Sequence, residues 1–493
     1  MSGLEDSHIQ TLIAHYLKEK NLTKTLQALE LEVNRKFQYD SLDEPLSSII
    51  NDRTNFLKLK AQQNEMDPEN SESKLYTPQQ LSLIKTHQIT VPSWTILKNR
   101  ELQSLDLQNQ KSLIIDSSLV ELKLAESHIL SAALFVTNDK YLYIHDIDNK
   151  KNILELKDPL KNGVSIKLVL GIPNTDYVLL CGMNGLLIAT QLVKQDNGDY
   201  ELKKLAQAQL HQRLISSMKY LSLDDNGSGF LCSIGWDLKV AVHKVDISNG
   251  QLKIKKVDDY KLITNGCCIE VLKDEETNLP LILVGRIETS MISVFTVSKN
   301  RLIEVCKVAL NDSEFSNHSF QAMSILQLGR QGLITFATNH IPYMRLITIK
   351  LPTLTEVLES NYKDIVADNT GDIINGQLET IASTHKNEQL FQSRTPIIRN
   401  VIVSNLNGMS PQDKFSNAMI LRRGRTDQED GVWIFGDDGV IRGFNLATGE
   451  VVENVKAHDG RIKSGFSGVN SKGDEVVVTC GAVDRLVQLL ENV

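Results

Sequence analysis

The sequence lacks several features that would place the protein in a common functional class. Its 61 acidic residues outnumber its 53 basic ones, for a net charge of −8, whereas general nucleic-acid binders are usually basic. No apolar run approaches the ~18 residues that would cross a bilayer, and residues 1–6 have no basic or apolar region typical of a secretory signal. We therefore expect a cytoplasmic or nuclear protein, or one found in both compartments, that binds neither membranes nor nucleic acid.

Residues that usually form metal and catalytic sites are scattered along the chain. The six cysteines have no paired zinc-type spacing, and most lie in apolar, strand-like runs, so we expect reduced core residues. The eleven histidines form no ligand cluster with Cys, Asp or Glu. No phosphate-binding glycine loop, nucleophile elbow or zinc-protease helix is present. We therefore expect no metal, no cofactor and no enzymatic activity.

A tight turn followed by an alternating strand occurs three times. The turns are centred on Asp237, Asp438 and Asp484, each with a glycine two or three residues earlier. Glycine relieves the turn backbone, and aspartate can hydrogen-bond its own backbone there. Repetition of one such unit predicts a repeat array, and an array closed into a ring accounts for a chain longer than one ordinary core supports.

From about residue 91 onward, short strands alternate with Gly, Asn and Asp turns. The turn residues are spaced about 45–53 residues apart, as expected for four-stranded blades; they are Asp139, Asn184, Asp237, about Thr289, about Asn339, Asp438 and Asp484. One interval is close to twice as long. We expect seven blades with an insertion at about 362–416, which is a candidate partner contact; eight blades are the alternative.

This region resembles the WD-repeat β-propellers, whose namesake dipeptide is present as Trp236-Asp237. In that family a loop histidine, a turn aspartate and a strand hydroxyl form a network that locks a blade. The resemblance assigns these roles to His211, Asp237 and Ser233, and again, at the same spacing, to His458, Asp484 and Thr479. A catalytic Ser-His-Asp set is the alternative, but recurrence in separate blades favours a structural role.

The N-terminal residues predict a pair of amphipathic helices. Ser7 and Gln10 form a capping box, and one apolar stripe follows helical spacing. The predicted dimerisation residues are Ile9, Leu12, Ile13, Tyr16 and Leu17, with Leu22, Leu26 and Leu29 from the second helix. Two such short helices cannot bury this stripe alone, so we expect a homodimer. Docking of the pair on its own propeller is the alternative.

This stripe resembles the LisH motif, a homodimerising helix pair, with Asn21 at the turn where the family usually has glycine. The expected organisation is a LisH-like helical region at 1–60, an acidic flexible linker at 61–90 and a WD-repeat-like propeller at 91–493. The last repeat lacks an outer strand, and the apolar run 93–97 is expected to supply it, so that both ends of the propeller share one blade.

The resemblance implies a non-enzymatic dimeric scaffold that binds partner proteins within a multiprotein complex of the ubiquitin-ligase or nuclear corepressor type. A basic cluster formed by Arg422, Arg423 and Arg425 is a candidate contact for an acidic partner, with a solvated surface as the alternative. Competing functions are an enzyme or small-molecule receptor that uses the central channel, and a dynein or trafficking regulator. The fold alone does not choose among these.

Overall fold

A computed structural model gives the fold. It describes residues 2–37, 45–50, 100–107, 112–125, 128–161, 163–248, 250–310, 320–328, 332–361, 374, 377–378, 381, 395–399, 401–413, 416, 420–422 and 431–492. The described residues form a seven-bladed β-propeller, preceded by a short helical segment. The prediction of seven blades is therefore confirmed.

The first three blades are four-stranded antiparallel meanders, as their regularly spaced turns predict. Blade 1 consists of β2 (Ile114–Ala125), β3 (His128–Thr137), β4 (Tyr141–Asp146) and β5 (Lys151–Lys157). Blade 2 consists of β6 (Ile166–Gly171), β7 (Tyr177–Gly182), β8 (Leu186–Lys194) and β9 (Tyr200–Gln209). Blade 3 consists of β10 (Ile215–Ser222), β11 (Gly229–Gly235), β12 (Lys239–Ser248) and β13 (Gln251–Lys261).

Blades 4, 5 and 6 follow the same plan with one interruption. Blade 4 consists of β14 (Gly266–Lys273), β15 (Pro280–Arg286), β16 (Met291–Ser298), β17 (Arg301–Ala309) and the added β21 (Ile397–Ile398). Blade 5 consists of β18 (Ala322–Leu328), β19 (Leu333–Thr338), β20 (Tyr343–Lys350) and β22 (Ile402–Pro411). Blade 6 consists of β23 (Ile420–Arg422), β24 (Gly431–Phe435), β25 (Val440–Asn445) and β26 (Glu450–Lys456).

Blade 7 joins the two ends of the propeller. Its strands are β27 (Ile462–Val469), β28 (Glu475–Gly481) and β29 (Val487–Asn492), completed by β1 (Arg100–Ser104), which pairs antiparallel with β29. The predicted sharing of one blade is therefore confirmed, but the closing strand is β1 rather than the run 93–97, which lies outside the described residues. Closure removes the exposed sheet edge that the last blade would otherwise present.

A buried ionic network lies between blades 6 and 7. The guanidinium of Arg100 is 3.1 Å from Glu453 and 3.2 Å from Glu475, and it stacks over the Trp433 ring at 4.6 Å. The Trp433 indole donates to Glu475 at 2.9 Å. Because Arg100 comes from the closing strand, this network links the first strand of the propeller to its last two blades.

The predicted insertion needs a correction to its boundary. After β20 the chain forms helix α3 (Leu354–Asn361), and Leu354, Val357 and Leu358 are buried in the core between blades 4 and 5. The chain then adds β21 in parallel to β17 and returns as β22, the outer strand of blade 5. Residues 402–411 therefore belong to the propeller rather than to the insertion, because they pair with β20. The sequence did not show this, since β20 ends about fifty residues earlier.

The N-terminal segment contains helices α1 (Ser2–Glu19) and α2 (Thr23–Val33). They are joined at Asn21, whose φ of 57° is left-handed, as its role at the helix stop predicts. Residues 46–50 are also helical, and the linker expected at 61–90 lies outside the described residues. Within the part of the chain that is described, no helix is long and apolar enough to cross a membrane.

Candidate functional site

The residues expected to lock blade 3 lie together at one end of the blade. His211 lies just before β10, and its Nδ1 is 2.8 Å from Oδ1 of Asp237 in the β11–β12 turn. Its Nε2 is 2.9 Å from Oγ of Ser233 on β11. The backbone amide of Gln212 donates to the other Asp237 oxygen at 3.0 Å. One histidine therefore ties together the loop, the turn and the strand.

The same arrangement occurs in blade 7. Nδ1 of His458 is 3.0 Å from Oδ2 of Asp484, and its Nε2 is 2.9 Å from Oγ1 of Thr479. Burial lowers the pKa of His458, although Asp484 acts in the opposite direction. Burial also acts to raise the pKa of Asp484, but amide donors from Leu486 and Asp459 and the neighbouring His458 lower it overall.

A glycine in each turn leaves room for the histidine. A Cβ built on Gly235 would lie 2.5 Å from Nδ1 of His211, and one on Gly481 would lie 2.5 Å from Nδ1 of His458. Both distances are far below van der Waals contact. The glycines that precede the turn aspartates are therefore required by the approach of the imidazole rings as well as by the turns.

Both hydroxyl groups are sealed from solvent. Ser233 and Thr479 have no exposed surface, and the side chains of His211 and His458 are fully buried. A Ser-His-Asp set that acts as a nucleophile needs an open side on which the substrate reaches the hydroxyl oxygen. Neither set offers one, and their geometry suits a structural tie.

Blade 1 contains a variant that the sequence did not reveal. Oγ of Ser112 is 2.6 Å from Oδ2 of Asp139, while Oγ1 of Thr137 donates to Oδ1 of the same carboxylate at 2.5 Å. Like His211 in blade 3, Ser112 lies in the loop just before the first strand of its blade. The only sequence signal for it was the spacing between Ser112 and Asp139, which nearly equals that between His211 and Asp237.

Large apolar side chains are exposed at the turns between the second and third strands of several blades. The turn residues Met183, Trp236, Ile341 and Val483 are 44%, 54%, 60% and 68% exposed. Because these turns occupy the same position in blades 2, 3, 5 and 7, all four side chains lie on one face of the ring, which we call the turn face. Exposed apolar groups gathered on one face are typical of an interaction surface.

His145 and His243 are buried on β4 and β12. Burial lowers the pKa of each to about 4. Both side chains are therefore neutral at physiological pH and belong to the blade interiors. All six cysteines are free, and five of them are buried.

The structure describes only one of the three arginines expected to contact a partner. Arg422 ends the short strand β23, but its side chain is not described, and Arg423 and Arg425 lie outside the described residues. Their role stays a prediction.

The predicted dimerisation residues divide into exposed and covered groups. Ile9 is 52% exposed and Ile13 is 38% exposed on α1, and Leu22 is also exposed at the start of α2. Leu12 is buried, whereas the remaining predicted residues are partly covered: Tyr16, Leu17, Leu26 and Leu29. No side chain of α2 is fully buried. The outer part of the stripe is therefore available for a further contact.

Comparison with known proteins agrees with this architecture. A family model described as "UCP007778, beta-propeller domain" matches residues 77–490. An uncharacterized protein of Saccharomyces cerevisiae, YGR117C, is 23% identical over 515 aligned residues, which cover 97% of this chain and 96% of that protein. Similarity to this protein therefore extends over nearly the whole length of both chains.

Proposed function

We propose, on the premise that this chain belongs to the beta-propeller domain family whose model covers residues 77–490, that it is a non-enzymatic dimeric scaffold. Its N-terminal helices, similar in pattern to LisH, join two copies of the chain. Each WD-repeat-like propeller then presents its surface to partner proteins of a multisubunit complex in the cytoplasm or nucleus.

The exposed apolar stripe on α1 carries the dimer proposal. Ile9 and Ile13 lie one helical turn apart on the same side of α1, so their exposed surfaces are contiguous. Leu22 extends the apolar surface at the helix junction. A second copy of the chain offers the same apolar surface to this stripe, and pairing of the two copies buries both surfaces without any other partner. Two linked propellers gain avidity wherever a complex offers two binding sites.

The turn face supports the binding role. Its exposed side chains include Trp236, and tryptophan is among the residues enriched at the energetic centres of protein interfaces. The His-Asp networks hold two of the turns to their strands, so part of this face is rigid before a partner arrives. A rigid surface loses less conformational entropy on binding.

The complex is proposed to be of the ubiquitin-ligase or nuclear corepressor type, with a dynein or trafficking assembly as the alternative. The full-length chain, expressed at its natural level and purified through an affinity tag, should retain a defined set of proteins, identified by mass spectrometry. A matched purification of the Ile9→Asp, Ile13→Asp double variant should lose the second copy of the chain. Recovery of the wild-type chain alone would contradict the scaffold role.

A further inference from the structure

The channel-lining strands of six of the seven blades start with a repeated irregularity. The first strand of six blades has a β-bulge at its beginning, so that its second residue lies outside the regular pairing with the next strand. These bulged residues are Ile115, Lys167, Ser216, Cys267, Met323 and Lys463. Bulges redirect a side chain away from the sheet. The bulged residues therefore form a ring at one mouth of the channel.

The turn face lies at this same mouth. In each of these six blades, the first residue of the turn donates its backbone amide to the carbonyl just before the channel-lining strand. In blade 3 the amide of Trp236 donates to Leu214 at 2.8 Å; in blade 2 Met183 donates to Ser165 at 3.0 Å. In blade 7 the amide of Ala482 donates to Arg461 at 2.8 Å. The exposed turn side chains are thus held close to the bulged residues.

Two of the bulged residues, Lys167 and Lys463, carry a positive charge. Oγ of Ser216 and Sγ of Cys267 each donate to the first residue of the next blade at 2.9 Å. Lys167 and Lys463, in contrast, form no hydrogen bond or ion pair with the described residues. Each is partly buried, where an unpaired ammonium loses part of its hydration.

The charges around these lysines leave an excess of positive charge. Lys463 lies close enough to Lys167 and Arg461 for both to lower its pKa, after the larger effect of burial. Arg461 is already bound to Asp437, at 2.7 Å, and to Asp413. Burial raises the pKa of the neighbouring Asp116, while the Val169 amide, 2.9 Å from its carboxylate, and the charge of Lys167 lower it. This one carboxylate offsets only part of the charge of the two lysines.

An anion placed between the two lysines would relieve their repulsion and restore the lost solvation. The surroundings favour an anionic group attached to a polypeptide. Blades 7, 1, 2 and 3 are consecutive around the ring, and this sector carries both lysines together with three exposed apolar turn residues: Val483, Met183 and Trp236. A free anion would leave those apolar surfaces uncovered.

We propose that this mouth, which we call the lysine mouth, binds a segment of a partner protein in which an acidic side chain is flanked by apolar residues. The acidic group lies between Lys167 and Lys463, and Trp236, Met183 and Val483 contact the apolar flanks. This proposal rests on the scaffold function and specifies the chemistry of one partner.

The test selects short random peptides on the immobilised full-length protein. Enriched peptides should contain Asp or Glu beside aromatic or aliphatic residues. For the tightest peptide, Lys463→Gln and Lys167→Gln should each weaken binding by about tenfold, the size expected for a hydrogen bond to a charged group. Trp236→Ala should weaken it by a similar factor. The matched variants Lys203→Gln and Leu205→Ala, on the outer strand of blade 2, should leave the affinity unchanged.

Circular dichroism of each variant verifies the fold, and inorganic phosphate is tested as a competitor. Enriched peptides that lack an acidic residue, or whose binding ignores both lysine substitutions, would overturn the proposal and leave the scaffold function standing. The protein could instead select no peptide but melt at a higher temperature in phosphate, with the increase lost in Lys463→Gln. The lysine mouth would then be a free-anion site, which would also overturn the proposal. The scaffold function itself is judged separately, by the proteins that co-purify with the chain.

Discussion

The His-Asp network of blade 3 gives the sharpest stability prediction. Asp237→Ala removes the acceptor of two donors, the His211 ring 2.8 Å away and the Gln212 amide 3.0 Å away. The two donors differ in their access to water, because His211 is fully buried and Gln212 is exposed. The amide can therefore bind water in the variant, whereas the imidazole nitrogen is left without a partner.

The expected cost follows from that difference. One buried donor without a partner costs about 1–3 kcal/mol, and an amide that turns to water adds little. We therefore expect Asp237→Ala to lower the free energy of unfolding of the propeller by about 2 kcal/mol. Asp225→Ala changes an exposed aspartate of the same blade and should stay within about 0.5 kcal/mol of the unmodified protein.

Urea unfolding followed by circular dichroism measures both variants, and a double-variant cycle with Ser233→Ala tests the mechanism. Both substitutions act through His211, which lies 2.9 Å from the Ser233 hydroxyl. Their effects should therefore not add. A neutral Asp237→Ala, or strict additivity with Ser233→Ala, would refute the assignment of this network as a blade lock.

Three other substitutions test buried ionisable side chains, with stability measured by urea unfolding. Arg100→Ala leaves Glu475 in the seam without its guanidinium and should cost about 3–5 kcal/mol; a loss under about 1 kcal/mol would contradict closure through this network. Burial lowers the pKa of His243 from 6.5 to about 4, so the folded state loses stability as the pH falls from 6.5 towards 4. His243→Leu should reduce that loss, and an unchanged pH profile of stability would contradict this assignment. Asp116 has its pKa raised from 3.8 to about 6, so the folded state loses stability as pH rises through this window. Asp116→Asn keeps an acceptor for the Val169 amide and should gain up to about 3 kcal/mol at neutral pH; a gain that persists below pH 3.8 would contradict the titration.

The repeated turns could be predicted because their signals are local. Asp237 and Asp484 each follow a glycine within a few residues, and the turn itself needs that glycine. Their histidine partners, His211 and His458, were found through equal spacing in two blades. The structure then added a reason that spacing cannot give, since a side chain on Gly235 would collide with His211.

The blade boundaries that depend on distant pairing could not be predicted as well. β22 pairs with β20 across an intervening helix and an added strand of another blade, so its sequence carried no sign of its partner. The closing strand was expected at 93–97 but is Arg100–Ser104. Apolar character favoured the earlier run, whereas buried ion pairs of Arg100 help to hold the observed strand in place.

The lysine mouth could not be predicted from sequence patterns. Lys167 and Lys463 are separated by most of the propeller in sequence, and only ring closure brings their strands to the same mouth. Neither residue belongs to a charge cluster or a known motif. The dimerisation stripe shows a related limit, because helical spacing assigns Leu12 and Ile13 to one surface while the structure buries only Leu12.

Light scattering of the purified full-length chain tests the dimeric scaffold most directly. The proposal predicts a mass twice the 55.2 kDa of one chain, and a mass of 55.2 kDa for the Ile9→Asp, Ile13→Asp variant, whose charges would be buried in the pairing surface. Gln27→Asp, at an exposed position of α2, should leave the mass doubled. A single-chain mass for the unmodified protein, or a doubled mass for the Ile9→Asp, Ile13→Asp variant, would contradict the account.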